Sequence, residues 1–139
     1  MRTGEQYMKI TRALLNDYRR NKSTIPFLEA ELRASAEAVV SDTVKDYRSG
    51  FPHTRVITGV GTDQYDKCRA RLRKKRQQVA AVDMWIESIE DDRTRMVFDL
   101  FYRQGRTWRA IAASIGYSGN EDYPRVVIRD RYLKSMKIR

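Results

Sequence analysis

From Tyr65 to Ile89 the side chains Tyr65, Cys68, Leu72, Val79, Val82, Ile86 and Ile89 recur at alternating steps of three and four residues, with Lys75 as the one polar occupant. A strand turns successive side chains to opposite faces and cannot keep that spacing on one side; a long helix with a heptad seam can. The seam constrains the rest of the chain, because an apolar stripe must be buried either against the N-terminal helices of the same chain or against another chain.

The flanking segments also read as helix. Upstream, Tyr7, Met8, Ile10, Ala13, Leu14, Leu15 and Tyr18 predict an amphipathic helix from Glu5 to Arg20. "NKSTIP" then predicts a break, with Ser23 or Thr24 as cap and Pro26 in the first turn of a second helix that reaches about Tyr47. "SGFPHTRVITGVGT" mixes Gly50, Pro52, Gly59 and Gly61 with β-branched residues and has no helical period, so it reads as an extended linker. Asp63 can cap the long helix, which should end near "SIEDDR", where Asp91 and Asp92 suit the positive end of a fourth helix. That helix, about Asp91 to Gln104, carries Met96, Val97, Leu100 and Phe101 on one stripe and stops at Gly105, a residue that accepts a left-handed C-cap. Thr107 can cap a fifth helix with Trp108, Ile111, Ala112 and Ile115 on its inner face, Arg109, Ala113 and Ser114 outward, and Gly116 closing it. The expected fold is all-α: an N-terminal helical region (1–49), a linker (50–62), a long basic helix with the coiled-coil-like seam (63–90) and a C-terminal helical domain (91–139).

Charge narrows the function. With 28 Lys and Arg against 18 Asp and Glu, the net charge is +10, which favours polyanionic partners and nucleic acid first among them. No apolar run approaches the roughly 18 residues of a membrane span, and "MRTGEQYMKITRALLNDYRR" lacks the apolar core of a signal peptide, so a soluble cytoplasmic protein without membrane contact is expected. The single Cys68 fits a reducing compartment. Between Lys67 and Arg76 stand seven basic residues and no acidic one; a solvated helix face and a phosphate-contacting one both fit. His53 is the only histidine, so no zinc-ligand set and no Ser-His-Asp or Cys-His arrangement can be assembled. "GVG" at 59–61 lacks the Lys-Ser/Thr of a phosphate loop, and Trp85 reads as seam or core. Neither an enzyme nor a cofactor is expected.

Residues 107–136, "TWRAIAASIGYSGNEDYPRVVIRDRYLKSM", fit a helix-turn-helix better than a generic corner. The first helix is short and ends at a glycine, Ala112 lets two backbones cross closely, and the second helix is basic. "DDRTRMVFDLFYRQGRTWRAIAASIGYS" resembles region 4 of the sigma-70 family and, more closely, the C-terminal domains of phage-encoded late-gene regulators of the RinA and ArpU type. The resemblance is carried by Phe101-Tyr102-Arg103, Gly105, Thr107-Trp108, Ile111-Ala112 and Ile115-Gly116-Tyr117-Ser118. "SGNEDYP" is longer than the family's usual turn. The resemblance implies a regulator of phage or prophage late genes that binds double-stranded DNA in a bacterial host and contacts the host RNA polymerase. Two rivals are a small terminase subunit and a helical assembly or scaffold protein.

With Pro124 in its first turn, the second helix should begin between Asn120 and Tyr123 and run through Lys134. An α-helical wheel sets Ile128, Tyr132 and Met136 inward, with Leu133 at the edge, against Trp108, Ile111 and Ile115. It leaves Val127, Asp130, Arg131 and Lys134 outward and Arg129 on the rim. Recognition helices read bases mainly from their N-terminal half, which favours Asn120, Tyr123, Arg125 and Val127 as base contacts. Arg106, Arg109, Ser118, Arg129, Arg131 and Lys134 are the phosphate candidates. Self-association is expected, because helix-turn-helix sites are usually addressed by dimers.

Overall fold

A computed structural model describes residues 8–45 and 60–139, and its element order is α1 (Arg12–Asn16), α2 (Tyr18–Lys45), α3 (Val60–Glu87), α4 (Asp92–Phe98), a π-helical segment π1 (Asp99–Arg103), α5 (Trp108–Ser114), a second π-helical segment π2 (Tyr123–Asp130) and α6 (Arg131–Ser135). The protein is all-α, with no strand among the described residues. Two compact units divide within the long helices: Ser23–Arg76 form one, and residues up to Lys22 with Gln77–Arg139 the other.

The expected first helix is cut short. Thr11 caps α1 by accepting from the Leu14 amide at 3.1 Å, and α2 starts at Tyr18. The predicted break at "NKSTIP" is absent, because α2 continues through Pro26. Proline already has a helical φ, and the carbonyl that its missing amide would have served belongs to Lys22, an exposed residue. Tyr18 and Asn21 before Pro26 and Leu28 and Ser35 after it are buried. The predicted linker also ends earlier than expected: residues 50–59 lie outside the described residues, while Val60, Gly61 and Thr62 already belong to α3. Asp63 therefore sits in the first turn of α3, where a carboxylate suits the helix dipole, and pairs with Lys67 at 3.1 Å.

The seam is buried within the single chain. Cys68, Leu72, Val79, Val82, Ile86 and Ile89 are buried, and Tyr65 and Lys75 are half-buried. In the 23–76 unit the Cys68 thiol faces the Leu28 carbonyl at 3.4 Å. In the other unit the Tyr18 hydroxyl donates to Asp83 at 2.8 Å, and burial together with that bond pushes its pKa up. Trp85 packs edge-on against Phe98 at 5.4 Å, and both rings meet Tyr132 within 5.9 Å, so Trp85 is a packing residue.

Local signals set the remaining boundaries. Asp91 caps α4 by accepting from the Thr94 amide and hydroxyl at 2.9 and 2.8 Å. The helix then widens into π1 and stops at Gly105, whose φ of +70° is left-handed. That backbone conformation keeps this position as glycine; a Cβ would also meet the Arg19 guanidinium, but that is the end of an exposed, flexible side chain that can swing away.

Candidate nucleic-acid interface

The corner that follows α4 is built from α5, a turn and the continuous helix of π2 and α6. Thr107 accepts from the Ala110 amide at 3.2 Å and starts α5. Its inner face buries Ile111, Ala112 and Ile115, and the two isoleucines form a core with Val97 and Ile128. Gly116, at φ +89°, ends α5 in a Schellman arrangement: the Tyr117 amide donates to Ala112 at 2.8 Å and the Gly116 amide to Ala113 at 3.3 Å. Gly119 takes a second left-handed conformation at φ +85°. The long turn is fastened by its aromatics, since the Tyr117 and Tyr123 rings stack with centroids 3.8 Å apart and Arg93 lies over Tyr117.

The second helix begins at Tyr123 with Pro124 in its first turn, within the expected range. Its inward face is not the one expected. Pro124, Ile128 and Leu133 are buried, Tyr132 is half-buried and Met136 is 49% exposed, so the 128/132/136 face is corrected. The cause is the π-helical winding of 123–130. Its wider turns shift the buried line by a five-residue step from Ile128 to Leu133, a phase that a uniform α-helical wheel misses.

The same winding gives Arg129 a structural task. Its guanidinium lies over the Trp108 ring at 4.9 Å and the Phe101 ring at 5.4 Å, while those rings stack on each other at 4.1 Å. It also donates to Asp130 at 2.9 Å, and its side chain is only 16% exposed. One residue thereby ties π1, α5 and π2 together. It is a positioning residue here and is not displayed as an open phosphate contact.

The remaining candidates divide by exposure. Arg106, Arg109, Arg131 and Lys134 are exposed, and none is paired with a carboxylate among the described residues. Ser118 and Asn120 are exposed on the turn, and Asn120 precedes the helix, its carbonyl accepting from the Tyr123 amide. Arg125 is half-buried and donates to Asp122 at 2.6 Å. Val127 is half-buried, and Tyr123 commits its ring face to Tyr117. The neighbouring Tyr117 hydroxyl raises the Tyr123 pKa above its ordinary value.

Sequence reasoning missed Arg93 and Ser135. They line a cleft of about 390 Å³ with Tyr123, Val127 and Arg131. No local spacing links position 93 to position 131; only the packing of α4 on π2 brings them together. Among the described residues no cluster of His, Cys, Asp and Glu could hold a metal ion, and His53 lies outside them. No helix among the described residues is long and apolar enough to cross a membrane. Comparison with known protein families, with curated proteins and with solved structures finds no match for this chain.

Proposed function

We propose that this chain is a sequence-specific regulator that binds double-stranded DNA through the α5–turn–π2/α6 corner. One observation carries the reading: a corner whose inner faces are closed by Ile111, Ala112, Ile115 and Ile128 leaves Arg106, Arg109, Arg131 and Lys134 exposed and unspent on carboxylates among the described residues. These four and Ser118 hold phosphates and set the docking. Asn120, Arg125 and Val127 face bases, with Tyr123 restricted to its hydroxyl. The Arg125–Asp122 pair is no obstacle, since an ion pair between partly exposed side chains is worth about 0–1 kcal/mol and a guanine edge can replace it.

The resemblance of residues 91–118 assigns the regulator to phage or prophage late genes in the cytoplasm of a bacterial host, with the host RNA polymerase as partner. The heptad seam, which a small terminase subunit would use for assembly, is already buried within one chain. A dimer on DNA therefore needs another surface. Selection of binding sites by the full chain from a pool of randomised duplexes tests the proposal. It should enrich one defined sequence, and binding should show a log-log salt slope corresponding to about five or more released ions. A folded chain that enriches nothing contradicts it.

A further inference from the structure

The cationic run from Lys67 to Arg76 is sorted by the structure into two groups. Lys67 pairs with Asp63 at 3.1 Å, Arg76 pairs with Glu29 at 2.6 Å, and Lys75 sits half-buried in the seam with a partner of its own. Arg69, Arg71, Arg73 and Lys74 are exposed and have no carboxylate partner among the described residues. At about 1.5 Å of rise per residue they project from about 7.5 Å of one rigid helix. Arg69 and Arg73 fall on one flank of its outward arc and Arg71 and Lys74 on the other, with the small Ala70 between the rows. The nearest carboxylate on that arc is Asp66, one turn upstream.

We propose that this strip of α3 is a phosphate-backbone contact for duplex nucleic acid. It is sequence-independent and belongs to the 23–76 unit, while the α5–π2 corner belongs to the other. Three of the four cations are guanidinium groups, whose planar fork matches phosphate oxygens. A lipid surface fits less well. A helix that lies in a membrane interface inserts a free apolar face, and here Cys68 and Leu72, which are 0% and 3% exposed, already fill that face.

The test measures binding of the full chain to a random-sequence duplex while salt rises from about 50 to about 200 mM. The variant R69Q/R71Q/R73Q/K74Q should lower the log-log salt slope by about 3–4, so that the parent loses roughly 100-fold more affinity than the variant over that range. The half-variants R69Q/R73Q and R71Q/K74Q should each remove about half of the effect, and R69K/R71K/R73K, which keeps the charge, should retain the slope. An unchanged slope in the fourfold and both half-variants overturns the proposal. A loss seen only on phosphatidylserine vesicles or on poly-glutamate, with duplex binding intact, also overturns it. If R69Q/R71Q/R73Q/K74Q flattens the slope while R109A/R131A alters neither slope nor sequence preference, the α3 contact stands and the reading head at the corner falls.

Discussion

In the unit that carries the C-terminal corner, Arg103 and Arg129 are parts of the architecture, whereas in the 23–76 unit Arg69, Arg71 and Arg73 stay in water. Arg103 is held by Asp83, Glu87 and Asp99 at 3.0, 2.5 and 2.6 Å, and these three carboxylates push its pKa up despite partial burial. Arg129 lies over the Phe101 and Trp108 rings. Of the seven basic residues of 67–76, Lys67 and Arg76 are paired with carboxylates, while Arg69, Arg71, Arg73 and Lys74 have no carboxylate partner among the described residues. Net charge therefore does not measure the charge available to a ligand; packing decides which cations are free. The contrast can be broken by substitution.

The largest effect is expected in the core beneath the corner. Ile111 is fully buried beside Ile115 and Ile128, so Ile111→Ala should leave a cavity and lower stability by about 2–5 kcal/mol, measured by denaturant unfolding. Little change would mean that α5 is not seated on π2. A middle effect is expected at Arg129. Replacing it with Met removes two cation–π contacts and should lower stability by about 1–3 kcal/mol, and Lys should restore only part, lacking the planar group that lies over the rings. Arg69→Met, the matched change on α3, should stay within about 0.5 kcal/mol of the parent. Equal losses at the two positions would abolish the distinction between structural and free arginines.

The smallest effect concerns acid. The Thr94 amide and hydroxyl hold the Asp91 carboxyl below its usual pKa range. With the folded pKa depressed, the stabilising contribution is present above the ordinary carboxylate pKa and fades as pH falls through the folded value. Asp91→Asn keeps a capping oxygen and removes the titration, so its melting temperature should fall less than the parent's between about pH 5 and about pH 2.

These positions also mark what the sequence made legible. Thr107 as cap, Asp91 and Asp92 at the positive end of a helix, Gly105 and Gly116 as left-handed stops, and Pro124 in a first turn depend on neighbours within a few residues, and each is found in its expected place. The seam was legible as a seam, but its partner was not, because periodicity is the same whether the covering surface belongs to one chain or two. Helix continuity through Pro26 runs against the local proline signal that suggested a break. The replacement of Tyr132 by Leu133 on the buried line depends on π winding, which a fixed α-helical period cannot register. The withdrawal of Arg129 needs Phe101, Trp108 and Asp130 together, three positions with no shared local pattern.

Arg125→Ala offers the most direct test of the reading head. The residue is partly exposed in the first half of the helix, and its guanidinium pairs with Asp122. Its melting temperature should therefore match the parent's. On the sequence selected by the parent, the variant should lose about 1–3 kcal/mol of binding free energy and relax preference at one base position, while affinity for random duplex changes little. An Arg125→Ala variant that melts like the parent and keeps full discrimination would contradict base reading from this helix.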